Sequence, residues 1–157
     1  LAALALGSRM VRSWADPALG RAAERELLRI EPVLPKALRH DPARDALLVS
    51  GFHVPDTLRA PMSGLREAIA AHRKLRIAYV RADGAASERI VQPVGLVFWG
   101  QTWTLGAWCE LRGDFRSFRL DRIASSSALD AHFDGAGMLA RYLQSVRQQD
   151  DEPAAAG

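Results

Sequence analysis

From Leu75 to Leu129 the chain is broken into short β-prone runs by turn signals at close intervals. Leu75, Ile77 and Tyr79 alternate with Arg76, Ala78 and Val80, the period-two pattern of a strand, and Asp83-Gly84 supplies a hairpin turn after them. Glu88 to Trp99 is long for one strand, and Pro93 and Gly95 mark a bend or bulge in its middle. Gly100-Gln101 turns the chain into Thr102 to Cys109, and Arg112-Gly113-Asp114 turns it into Phe115 to Leu120. Ile123 to Leu129 supplies a fifth strand. A five-strand meander this short hides its edges only by curling into a small barrel.

Ahead of the meander, Leu47 to Val54 reads as a strand, and Leu58, Met62, Leu65 and Ile69 trace a helix. That helix ends near His72-Arg73-Lys74, where cations suit a helix C-terminus. One helix in front of such a barrel is the arrangement of Sm-like and SH3-like folds, so the expected class is α+β. Met138, Leu139, Tyr142, Leu143 and Val146 give a last amphipathic helix. The expected organisation is a helical connector or dimerisation segment over residues 1–45 and a barrel domain over 46–133. A C-terminal helix over 134–149 and a disordered tail over 150–157 complete it.

The N-terminal segment opens without methionine, with Leu1, Leu4, Met10, Val11 and Trp14 near helical spacing. The expectation is a fragment whose N-terminal part is absent. Asp16-Pro17 starts a second helix, with Asp16 as cap and Pro17 at its first position, and Leu19, Ala23, Leu27 and Ile30 share one face. Glu31-Pro32 ends it, with one more short turn over Val33 to Arg39. These apolar faces exceed what so small a segment buries alone, so they call for another domain or a second copy of the chain.

Composition narrows the class of function. The 157 residues are 48% hydrophobic and 25% charged, proportions that exclude wholesale disorder. No apolar run approaches the ~20 residues of a transmembrane helix, so no membrane partner is expected. A single cysteine, Cys109, excludes an intrachain disulfide framework and fits a cytoplasmic location. A net charge of +3 and a pI near 9.6 permit a nucleic-acid or phosphate partner.

The stretch Pro93 to Ile123 resembles the WYL domain, an Sm-like effector module of bacterial transcriptional regulators. The resemblance is carried by Phe98-Trp99-Gly100 leading into Trp103-Thr104-Leu105, by Ala107-Trp108-Cys109, and by Arg116-Ser117-Phe118-Arg119-Leu120-Asp121-Arg122-Ile123. The name-giving tripeptide is Trp-Tyr-Leu, and here Thr104 stands at its centre. The resemblance implies a ligand-sensing module attached to a helix-turn-helix domain that reads DNA. No helix-turn-helix is visible in this chain, and its first forty residues resemble the connector between the two parts. A homodimer is expected, because two-fold regulators match palindromic operators.

The candidate ligand-binding residues are Arg112, Arg116, Arg119 and Arg122, with Tyr79 and Trp103 as aromatic partners and Arg76 and Arg81 as a possible rim. Guanidinium forks bind phosphate bidentately and stack on bases. The resemblance favours an effector that is single-stranded nucleic acid, a nucleotide or an anionic metabolite. Along an extended strand Arg116 and Arg119 face opposite ways, so the four arginines do not form one flat row. The same arginines could instead pair with Glu110, Asp114 and Asp121 on a solvated surface. Trp103 shares a strand face with Leu105, Ala107 and Cys109, which also fits core packing.

His40, His53, His72 and His132 lie far apart with no metal-ligand spacing, and no Gly-rich phosphate loop or nucleophile elbow is present. The expectation is therefore a non-enzymatic protein without cofactor or metal. Two other readings stand beside the sensor: a ligand-free dimerisation module, and a stand-alone Sm-like protein binding RNA or single-stranded DNA.

Overall fold

The computed structural model describes residues 2–35, 61–100 and 102–151. The chain divides into two compact units, Leu1–Ser63 and Gly64–Gly157. The predicted strand at Leu47 to Val54, the helix start at Leu58 and the tail beyond Asp151 lie outside the described residues.

In the first unit, α1 (Ala2–Trp14) and α2 (Pro17–Ile30) form a helical hairpin, followed by a 3₁₀ turn at Glu31–Val33. Asp16 caps α2: its Oδ1 accepts hydrogen bonds from the Ala18 and Leu19 amides, each at 3.0 Å, and Pro17 occupies a first-turn position whose amide needs no partner. The helices meet closely at Gly20, where an added Cβ would stand 3.0 Å from the Arg12 Cα. Leu4, Leu28 and Val33 are exposed.

The second unit is built on a five-stranded antiparallel sheet preceded by α3 (Met62–Ala70), which belongs to it from Gly64 onward. Leu65 and Ala68 form the buried face of α3. His72 ends it in the left-handed region, at φ 49°, and its carbonyl accepts a hydrogen bond from the Phe133 amide at 3.0 Å. The strands are β1 (Arg73–Val80), β2 (Ala86–Phe98), β3 (Trp103–Cys109), β4 (Asp114–Arg119) and β5 (Ile123–His132), in the order β4-β3-β2-β1-β5. The final helix, α4, spans Met138–Asp151.

The sheet curls without closing. A closed barrel would need a ladder between β4 and β5, but these are the two edges of the sheet, joined through a 3₁₀ turn at Leu120–Arg122. The expectation of closure treated pairing as the only shelter for short strands. Instead, β4 is only six residues long and carries Asp114, Arg116 and Arg119, a short charged edge that resists unwanted pairing. The curl itself has two sources. A register shift between Pro93 and Gly95 leaves Val94 as an extra residue that bends β2. In addition, Tyr79 of β1 and Phe118 of β4 meet edge-on, with ring centroids 5.1 Å apart. Three flat strand spacings would separate them by about 14 Å, so only a strongly curled sheet brings them together.

One face of the sheet carries Leu75, Ile77, Val91, Leu105, Ala107 and Phe118, all buried. The other is covered by α4, where Val94, Phe115, Met138 and Tyr142 form a cluster flanked by Val97, Trp108 and Val146. Tyr142 lies against Gly106, and its hydroxyl shares a 2.8 Å hydrogen bond with Ser117 Oγ. At the β3 end, Lys74 Nζ sits 2.5 Å from Glu110 Oε1 and Gln92 Nε2 donates to the same oxygen. Chiefly through the Lys74 hydrogen bond, the Glu110 carboxyl is held below its ordinary range.

Candidate anion-binding cleft

The β1–β2 and β3–β4 hairpins face each other across an open cleft of about 470 Å³. Tyr79 and Arg81 enter it from β1 and the turn that follows, and Ser87 and Arg89 enter from β2. Cys109 ends β3, Arg112 lies in the next turn, and Arg116, Ser117 and Phe118 come from β4. Cross-strand pairing explains the grouping. Tyr79 is opposite Ser87, Ile77 is opposite Arg89, and Ala107 is opposite Arg116, so these side chains stand on the inner face of the curl. The Tyr79–Phe118 ring pair forms its aromatic wall.

Both turns are set by glycine. Gly84 has φ 82°, and the Arg81 amide donates to the Ala85 carbonyl at 3.0 Å. Gly113 has φ 60°, and the Arg112 and Gly113 amides both donate to the Cys109 carbonyl, at 3.1 and 2.9 Å. These left-handed positions admit glycine without strain.

The electrostatics of the cleft are one-sided. Its lining includes Arg81, Arg89, Arg112 and Arg116 and no carboxylate. Arg81 pairs with Asp83 at 3.3 Å and Arg116 with Asp114 at 3.4 Å, both acids standing just outside the lining. Arg89 donates to the Glu88 carbonyl at 2.8 Å. Arg112 makes no ion pair among the described residues. Two of the four guanidinium charges are thus matched by local carboxylates and two are not. Such a site suits an anion held by charge-assisted hydrogen bonds.

Of the residues singled out from sequence, Tyr79, Arg81, Arg112 and Arg116 line this cleft, and Arg76, Trp103, Arg119 and Arg122 do not. Arg119 lies on the opposite strand face from Arg116, and it holds Asp121 with two hydrogen bonds, Nε to Oδ1 at 3.0 Å and Nη2 to Oδ2 at 2.7 Å. That bond raises the Arg119 pKa and lowers that of Asp121, with Arg122 adding to the second effect by its charge. Arg76 lies 3.5 Å from Glu88. Trp103 stacks on Phe98 at the β2–β3 hairpin, with centroids 5.1 Å apart. Thr104, at the centre of the tripeptide, is buried and accepts a hydrogen bond from Trp99 Nε1 at 2.9 Å. Arg89, Ser87 and Phe118 join the site although the strand pattern alone did not mark them.

Residues 62–127, which take in α3 and most of this curled sheet, match the WYL domain family. Among solved structures the chain is similar to Proteasome accessory factor B/C (PafBC) of Arthrobacter aurescens, at 28% sequence identity over 54% of this chain and with a TM-score of 0.49. The chain covers 13% of the length of that protein. Among the described residues no helix is long and apolar enough to cross a membrane.

Proposed function

We propose that this chain is the ligand-sensing part of a DNA-binding transcriptional regulator, and that its effector is an anion held in the arginine-lined cleft. The observation that carries this reading is the cleft itself: four arginines, an aromatic pair and no carboxylate among its lining residues, within a WYL domain. Its role is binding rather than catalysis. A ligand that prefers one arrangement of the module shifts a regulator toward that state by its difference in affinity, typically 1–3 kcal/mol. A DNA-reading domain on the same regulator and self-association through the helical hairpin complete the reading. The exposed Leu4, Leu28 and Val33 suit such an interface, and sedimentation equilibrium of this chain tests it, a monomer at all concentrations counting against it.

The test of the cleft is fluorescence anisotropy with a labelled short oligothymidylate at low and physiological salt. Charge-assisted hydrogen bonds are worth about 1.5–3 kcal/mol each. An Arg89→Ala/Arg112→Ala/Arg116→Ala variant is therefore expected to bind at least about tenfold more weakly and with a shallower salt dependence. Arg119→Ala/Arg122→Ala removes two positive charges outside the cleft and is expected to change affinity far less. Equal losses in the two variants, both still folded by circular dichroism, would reject the cleft as the site.

A further inference from the structure

Two aspartates beside the cleft are held in a common way. In the β1–β2 turn, Asp83 Oδ1 accepts the Ala85 amide at 3.0 Å while Oδ2 faces Arg81. At the start of β4, Asp114 Oδ1 accepts the Phe115 amide at 2.8 Å while Oδ2 faces Arg116. Each carboxylate is therefore tied to its own backbone by one oxygen and turns the other toward a cleft arginine. All four side chains are about half exposed, so the ion pairs are weak and easily exchanged.

We propose that Asp83 and Asp114 are built-in competitors for the anionic ligand, occupying Arg81 and Arg116 until a stronger anion displaces them. The inference rests on the reading of the cleft as an anion site and adds a selectivity to it. A single phosphate group held by Arg89 or Arg112, which have no carboxylate partner among the described residues, would leave both aspartates undisturbed. A ligand with several phosphates also engages Arg81 and Arg116, and it must draw them away from carboxylates that are fixed in place. The aspartates thereby leave a single phosphate at Arg89 and Arg112 without competition, and they lower the affinity of polyphosphate-bearing ligands, which must displace them. The arginines are the moving parts, because their side chains are long and exposed while the aspartates are anchored.

Asparagine at both positions keeps the Oδ1 acceptor that holds each turn and removes only the charge, so Asp83→Asn/Asp114→Asn isolates the competition from folding. An exposed ion pair is worth up to about 1 kcal/mol, which corresponds to about fivefold in affinity. The double variant is expected to bind the labelled oligothymidylate, and inorganic pyrophosphate as its competitor, about five- to twentyfold more tightly than the parent. Asp130→Asn is the control for net charge, because Asp130 is fully exposed and pairs with Arg73 outside the cleft. Its affinity is expected to match the parent within about twofold at physiological salt. If the parent binds but the double variant binds no more tightly than Asp130→Asn, the competition is overturned while the cleft stands as an anion site. If neither parent nor double variant binds either probe, both the competition and the anion site are overturned. Binding that appears only in the double variant supports both.

Discussion

Tyr142→Ala is expected to lower the unfolding free energy by about 3–5 kcal/mol, the range for removing a large buried aromatic. Tyr142 is 1% exposed, the most deeply packed side chain that α4 contributes. Its ring lies 6.1 Å from that of Phe115, centroid to centroid, in the cluster with Val94 and Met138. The hydroxyl meets Ser117 Oγ, tying α4 to β4 at the edge of the sheet. Tyr142→Phe removes only that hydrogen bond and is expected to cost about 1 kcal/mol, because Ser117 is exposed and finds water in its place. Urea unfolding followed by circular dichroism checks both. Fluorescence gives a second signal from the four tryptophans, of which Trp108 packs edge-on against Phe115 at 5.2 Å. A loss under about 1 kcal/mol for the alanine variant would mean that α4 is not integral to the sheet's packing.

Gly106→Ala is expected to be the next most damaging change, at about 1–3 kcal/mol. An added Cβ there would stand within 2.5 Å of two atoms of the Tyr142 ring, far inside contact distance. The ring has little room to retreat because it is packed in the cluster with Val94, Phe115 and Met138 and its hydroxyl is engaged. The two substitutions must therefore couple. In the Tyr142→Ala background the same Gly106→Ala change is expected to cost little, since the colliding ring is gone. Additive losses across the four proteins of this cycle would show that Gly106 is required for some other reason.

The strand pattern made the sheet legible before its shape. Turn residues at Asp83-Gly84, Gly100-Gln101 and Arg112-Gly113-Asp114 separate strands that the structure places in those intervals, and Pro93 and Gly95 flank the observed bulge. The register was less accessible. A two-residue loop at Asp83-Gly84 would set Ala78 opposite Arg89 and turn Arg89 away from Tyr79. The observed loop is Arg81–Ala85, which sets Ile77 opposite Arg89 and brings it to the inner face. One residue of slip reverses every side chain of a strand, and that is why Arg89 escaped a reading by composition and spacing. Arg119 shows the converse. Its spacing from Arg116 already places it on the other face, and its carboxylate two residues away gives it a local partner. Closure of the barrel was not legible because it depends on whether β4 and β5 pair. A helix docked on one face and a ring pair spanning the other satisfy the sheet without that ladder.

The edge-on contact of Tyr79 and Phe118 joins two strands that share no hydrogen bond. Such a pair is worth roughly 0.5–1.5 kcal/mol beyond the area it buries, about one to two and a half times thermal energy. Across the cleft, the opposing hairpins joined by the β2–β3 ladder are thus fastened to each other by a light clasp of two rings. If the cleft is the anion site proposed above, a substitution at Phe118 is expected to change how the two hairpins face each other, and with it the fit of a ligand, without altering a single arginine.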